Sequence, residues 1–328
     1  MSAARPRVFI TQPVAERAVR RLEPRADVLG NPDPLRILTK PELIDAVRDV
    51  DYLFCLVQDR VDADVIAAGE RLKAIASMTI VPEDIDVAAA TKRRLPVTVI
   101  PPMVTEATAD LAMALLLATA RRIAEADRLV RAGTFPGAQS RHLEGRSVWG
   151  ATLGIVGCGR VGQAVARRAR GFGMKLLYHD VARLPEGDAK ALEIEYRELG
   201  ALLEESDFVT VHVALTGVTR HLIGAPELAR MKPTAYLINT SRGPVVDEGA
   251  LVGALVEGRI AGAALDVYEH EPRPAPALLT LSNVVMTPHV GSAVVELRER
   301  MADVVVDNIL ALMDGRRPPN CINPEIYV

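Results

Sequence analysis

An arginine, a carboxylate and a histidine stand in three short stretches far apart in the chain: Thr240-Ser241-Arg242-Gly243, Glu271-Pro272 and Thr287-Pro288-His289-Val290-Gly291-Ser292. Their types suit one reaction. A guanidinium is a planar fork of donors that matches a carboxylate, and it can polarise a carbonyl oxygen as negative charge develops. Histidine gives and takes a proton near neutrality. A carboxylate bonded to its other ring nitrogen fixes the tautomer. Upstream, Gly157-Cys158-Gly159-Arg160-Val161-Gly162 follows the apolar run Leu153 to Val156, precedes an Ala/Val/Arg-rich helix, and is answered by Asp180 eighteen residues after the last glycine. That order describes a dinucleotide site. Gly157 allows the tight turn, Gly159 lets the backbone around Arg160 and Val161 approach a pyrophosphate, and Gly162 permits close packing of helix on strand. Asp180 is placed to accept from ribose hydroxyls and to repel a 2′-phosphate, which favours NAD(H) over NADP(H).

The elements that must position these residues read as an α/β chain. Strand-like runs at Val8 to Thr11, Asp51 to Val57, Ala74 to Met78 and Val97 to Ile100 alternate with helical patterns such as Val14 to Leu22 and Asp62 to Ala68, which implies a parallel sheet. Pro101-Pro102 interrupts the chain, and a domain crossover is expected there. A second series begins at Thr152, with strands at Lys175 to His179 and near Phe208 to His212, Tyr236 to Asn239, Ala261 to Val267 and Val284 to Thr287. Between the two series, Thr105 to Arg131 reads as one long helix capped by Thr105 and apolar on every side in its middle. One sheet contact cannot bury such a helix, so a homodimer through Thr105–Arg131 is expected.

Composition narrows the partners. The 328 residues are 49% hydrophobic and 25% charged with a net charge of −3, a globular balance without the basic surface that nucleic acid or an anionic membrane would require. A small-molecule partner is favoured. Cys55, Cys158 and Cys321 are few and widely spaced, forming neither a disulfide framework nor a metal cluster. No histidine pair has metal-ligand spacing, so no metal is expected. The N-terminus passes from Arg5 and Arg7 into Val8-Phe9-Ile10 without an apolar signal core, and a cytoplasmic protein is expected. The longest apolar stretch, Leu111 to Ala120, is half of the ~20 residues that span a bilayer.

At these motifs the chain resembles the D-isomer-specific 2-hydroxyacid dehydrogenases, in particular the branch of glyoxylate, hydroxypyruvate and 2-ketoaldonate reductases, from about Val8 to about Pro319. The resemblance implies two Rossmann-like or flavodoxin-like domains with parallel sheets. The substrate-binding (catalytic) domain would be discontinuous, residues 1–100 with 293–328, and the NAD-binding Rossmann domain would be 101–292. The spacings of 29 from Arg242 to Glu271 and 18 from Glu271 to His289 fit that branch. They imply Arg242 on the substrate carboxylate and keto oxygen, His289 as proton donor and Glu271 as its partner. Thr108, Val213, Thr240 and Ser292 match positions lining the cofactor. Asp266 has two readings, a strand-end carboxylate bonded to local backbone or the group that binds the nicotinamide carboxamide, and the resemblance favours the second.

The resemblance also marks departures. Ile80 and Val81 can still donate backbone N–H to a substrate carboxylate, but Val81 stands where relatives have glycine, and Pro82 has no donor. Pro102 replaces another glycine, and Ala138 and His142 replace tryptophans in a segment where Arg141 or His142 would line a neighbour's site if it reaches one. The implied reaction is NADH-dependent reduction of a small 2-keto acid to a 2-hydroxy acid. Two other activities of related folds are phosphite oxidation, whose branch has lysine where Ile80 stands, and non-catalytic dinucleotide sensing by a corepressor-like protein.

Overall fold

The computed structural model describes residues 4–328, which divide into two compact units. The first runs to Met103 and resumes over Ala293–Val328; the second is Val104–Ser292. In the first, β1 (Arg7–Ile10), α1 (Glu16–Leu22), β2 (Asp27–Gly30), α2 (Lys40–Val47), β3 (Tyr52–Cys55), α3 (Ala63–Ala68), β4 (Ala74–Ser77), α4 (Val87–Lys92) and β5 (Val97–Thr98) alternate. The strands form an all-parallel sheet in the order β2-β1-β3-β4-β5. Every residue of β3 and β4 is buried, because helices cover both faces of such a sheet. Helix starts are set locally: Asp62 caps α3 through the amides of Asp64 and Val65, and Asp86 caps α4 through that of Ala89.

The second unit contains α5 (Thr105–Ala120), α6 (Ile123–Arg131), β6 (Thr152–Val156), α7 (Arg160–Arg170), β7 (Lys175–His179), α8 (Glu186–Leu192), β8 (Ile194–Tyr196), α9 (Leu199–Glu205), β9 (Phe208–Val211), α10 (Ala225–Arg230), β10 (Tyr236–Asn239), α11 (Glu248–Val256), β11 (Gly262–Leu265) and β12 (Val284–Met286). Its seven parallel strands run β12-β11-β10-β9-β6-β7-β8. Strand order reverses between β6 and β9, the point where doubly wound sheets bind ligands beyond their carboxyl ends. The last helix, α12 (Val295–Met313), returns to the first unit and packs on α1 and β4. Arg17 bonds Glu299 at 2.9 Å, Arg21 bonds Asp303 at 3.1 Å and Arg25 bonds Asp314 at 2.7 Å along that seam. The tail then closes the edge of β5, where buried Asn323 accepts from the Val97 amide at 2.8 Å and donates to the Leu95 carbonyl at 2.8 Å.

The expected single helix from Thr105 to Arg131 is two helices, and Thr105 is not its cap. Val104 occupies the cap position without a side-chain bond. The helix ends because the Arg146 amide, 2.8 Å away, takes the Ala120 carbonyl, and Arg122 turns left-handed at φ 52°. Arg122 then starts α6, its guanidinium bonded to Glu125 at 2.8 and 2.9 Å. The apolar α5 is covered within its own unit, by α7 and the faces of β10 to β12. The uncovered apolar surface lies instead on α6 and the segment after it, where Ile123, Val130, Phe135 and Trp149 are all more than half exposed. Among the described residues, no helix is long and apolar enough to cross a membrane.

Candidate active site

The glycine turn joins β6 to α7. Gly157 has φ +91°, and a Cβ there would lie 2.8 Å from the His212 carbonyl carbon and 2.7 Å from a methyl of Val213. A Cβ at Gly162 would come within 2.2 Å of the Gly157 oxygen. At Gly159 it would meet no atom within 4 Å, so the backbone at the start of α7 faces open space. No side chain caps this helix, and its first turn, Arg160 and Val161 included, carries no acid. Its amides and dipole are therefore available to an anion. Asp180, just past β7, accepts from the Cys158 amide at 2.7 Å through one oxygen. Val181 beside it is 99% exposed, and the Arg183 guanidinium sits 4.2 Å above the Tyr196 ring. Burial pushes the Cys158 thiol up to about 12, which keeps it unreactive. Thr240, past the end of β10, has a buried hydroxyl without a hydrogen-bond partner. An open glycine, an uncapped helix start, a carboxylate past β7 and an orphaned hydroxyl fit a dinucleotide.

Asn239 shapes the turn that presents Arg242. It is 1% exposed, accepts from the Ser241 amide and hydroxyl at 3.0 and 2.8 Å, and donates to the Arg242 carbonyl at 3.1 Å. Arg242 in turn bonds the Ser241 carbonyl through Nη1 at 2.9 Å. Gly243 is required next, since a Cβ there would lie 1.8 Å from the Tyr268 oxygen. The Arg242 turn is thus pressed against the backbone leading to Glu271.

Glu271 and His289 come together. His289 Nδ1 donates to Glu271 Oε2 at 2.8 Å, and Glu271 Oε1 accepts from the Tyr268 amide at 3.2 Å. The ring's Nε2 takes no part in this pair. His289 has φ 54°, a left-handed conformation that costs a side-chain-bearing residue roughly 1–2 kcal/mol, so its surroundings must hold it. Asp266 does much of this. Its backbone oxygen accepts from the His289 amide at 2.9 Å. Its carboxylate accepts from Thr287 Oγ1 at 2.6 Å and from the Val290 and Gly291 amides at 2.8 and 2.9 Å. Burial pushes this carboxyl above its ordinary range while those donors pull it back. These bonds tie Asp266 to the Thr287–Gly291 turn. The Tyr268 hydroxyl adds a bond to the Thr287 carbonyl at 2.9 Å.

The other expected residues are distributed. Thr108 lies near Gly291, its Oγ1 3.5 Å from where a Cβ would stand, and Ser292 follows, half-buried. Ile80 and Val81 belong to the first unit, past β4, with Val81 about half exposed. Arg141 and His142 are exposed, and Arg141 pairs with Glu144 at 3.7 Å. Among the described residues no cluster of His, Cys, Asp or Glu could hold a metal. Asn239 and Tyr268 were missed by sequence reasoning, although an Asn ending a strand before Thr-Ser is a turn-forming signal.

The family model for the D-isomer specific 2-hydroxyacid dehydrogenase NAD binding domain matches residues 113–291. Glyoxylate reductase of Korarchaeum cryptofilum is 48% identical over 326 residues, 98% of this chain and 97% of that protein. Glyoxylate reductase of Thermococcus litoralis is 47% identical over 98% of each. Among solved structures, the NADPH-dependent glyoxylate/hydroxypyruvate reductase of Sinorhizobium meliloti, in complex with NADP and malonate, is 34% identical with a TM-score of 0.80, covering 97% of both chains.

Proposed function

Since the chain belongs to the D-isomer-specific 2-hydroxyacid dehydrogenases, oxidoreductases with a nicotinamide dinucleotide-binding domain, we propose that it reduces small 2-keto acids, glyoxylate, hydroxypyruvate or a 2-ketoaldonate, to D-2-hydroxy acids with NADH. The observation that carries this reading is the Glu271–His289 pair, bonded at 2.8 Å in the unit that carries the glycine turn. The cofactor supplies the hydride. His289 gives the proton to the keto oxygen through Nε2, and takes it back in the oxidising direction. Glu271 holds Nδ1 as the protonated nitrogen. Arg242 grips the substrate carboxylate and stabilises the developing oxyanion. The first unit offers its own donors for a carboxylate, the backbone amides of Ile80 and Val81. Loss of NADH absorbance with a panel of 2-keto acids tests the reading, and a panel without turnover refutes it.

The amides of Gly159, Arg160 and Val161 hold the pyrophosphate, Gly157 and Gly162 making room for the turn. Thr108, Val213, Thr240 and Ser292 line the cofactor, and Asp266 serves its nicotinamide end chiefly by holding the Thr287–Gly291 turn. Asp180 selects NADH: one oxygen is spent on Cys158 and the other is left for a ribose hydroxyl. A 2′-phosphate there would oppose a carboxylate, at a cost of several kcal/mol. Arg183 is drawn onto Tyr196 and compensates little. kcat/KM with NADH should therefore exceed that with NADPH by about tenfold or more. Asp180→Ser should narrow the ratio, whereas an unchanged ratio would remove Asp180 from the ribose.

The protein is assigned to the cytoplasm, in keeping with its three free cysteines. It forms a homodimer, with α6 as the part of Thr105–Arg131 that carries the contact, because its apolar side chains are the ones left uncovered. Light scattering at micromolar concentration should give twice the chain mass; a single chain mass would rule the dimer out.

A further inference from the structure

We propose that His221 is a positioning residue for this reaction, tying the loop that carries Glu271 to the turn that carries Arg242. The inference rests on the functional reading above and concerns a side chain outside the glycine turn and the Arg242, Glu271 and His289 set. His221 Nε2 donates to Glu269 Oε1 at 2.6 Å, across 48 residues of sequence. Its own amide donates to the Pro244 carbonyl at 2.8 Å, two residues past Arg242. The zipper continues from there: the Ile223 amide reaches the Val245 carbonyl at 3.1 Å, and the Asp247 amide reaches the Ile223 carbonyl at 3.0 Å. One residue therefore holds the Arg242 side by its backbone and the Glu271 side by its ring.

The far end of the tie is itself hydrogen-bonded. Glu269 Oε2 accepts from the Glu248 amide at 3.3 Å, and Glu248 returns the contact by accepting from the Glu269 amide at 2.8 Å. Glu248 is itself buried at the start of α11 and also accepts from the Ala275 amide. Glu269 and Glu248, with Asp247 Oδ2 4.0 Å from His221 Nδ1, put carboxylates around the exposed imidazole, which is the donor to Glu269. Glu269 stands two residues before Glu271, and its neighbour Tyr268 donates its amide to Glu271 Oε1. A shift of Glu269 is thereby passed to the carboxylate that orients His289. The backbone supports a built contact rather than a chance surface pair. His221 has φ 54°, as His289 does, and both left-handed histidines present their rings to carboxylates of the same 269–271 stretch. Such conformations persist where the surroundings over-determine them.

The experiment compares the wild type with His221→Ala, His221→Gln, Glu269→Gln and the double variant His221→Ala/Glu269→Gln. Turnover of NADH with a 2-keto acid is read beside hydrogen–deuterium exchange of the protein alone. His221→Ala should lower kcat by roughly ten- to a hundredfold, the scale of a displacement of about 1 Å in a reacting set, with NADH affinity by fluorescence unchanged. Exchange should rise over residues 243–248 and 267–272 while the 157–162 turn stays as in the wild type. His221→Gln keeps a donor and should recover part of kcat. The double variant should be no worse than the poorer single, as expected for two ends of one contact. Wild-type kcat in His221→Ala, or additive losses in the double variant, would overturn the assignment, and so would unchanged exchange over both stretches. If the wild-type protein reduces no 2-keto acid, the functional reading falls, and the exchange measurement alone decides whether His221 ties the two loops.

Discussion

Replacing His289 by alanine should lower kcat for 2-keto acid reduction by about 10² to 10⁴-fold, the usual worth of a positioned proton donor, while leaving NADH affinity close to that of the wild type. The division follows from the geometry. The ring is bonded to Glu271 at 2.8 Å, and the turn that carries it is held by Asp266 through main-chain and Thr287 bonds that do not involve the imidazole. Alanine removes the proton donor and leaves the turn standing. The glycine turn and Asp180 are untouched by the change. Stopped-flow reduction at saturating substrate, with NADH binding followed by fluorescence, separates the two effects. A wild-type kcat would remove His289 from the chemistry, and a loss confined to NADH binding would make it a cofactor contact.

Arg242→Ala should damage both substrate affinity and turnover, because one guanidinium serves the ground-state carboxylate and the charge that develops on the keto oxygen. Loss of an oxyanion donor alone is worth roughly 10²–10³ in kcat. Loss of a charge-assisted pair to the carboxylate raises KM in addition. Arg242→Lys should recover little, since an ammonium cannot reproduce the planar fork. The Asn239 bonds that shape the turn end on the Ser241 amide and hydroxyl and the Arg242 carbonyl, so neither substitution removes them. Unchanged KM with lowered kcat would confine Arg242 to the oxyanion; wild-type values for both would exclude it from the site.

The parts legible in the sequence are those whose cause is local. Gly157 and Gly162 announce a strand–turn–helix because no side chain fits at either, and the apolar runs of β3 and β4 announce covered strands. The short, mostly exposed edge strand β2 has neither signal. The rest depends on partners far along the chain. The helix expected from Thr105 to Arg131 breaks because Arg146, 26 residues beyond Ala120, takes the last carbonyl. Asp266 is engaged by a turn more than twenty residues away, so its local role was one of two open readings. His221 looks like an unmatched loop histidine until the fold brings Glu269 to it. In each case tertiary hydrogen bonding decides, and neither composition nor periodicity records it.

The central claim, hydride reduction of a 2-keto acid to a D-2-hydroxy acid, is tested most directly by reducing hydroxypyruvate with NADH and resolving the enantiomers of the glycerate formed. The account predicts stoichiometric loss of NADH absorbance and D-glycerate as the product. L-glycerate, or no consumption of NADH with hydroxypyruvate, glyoxylate and a 2-ketoaldonate, would contradict it.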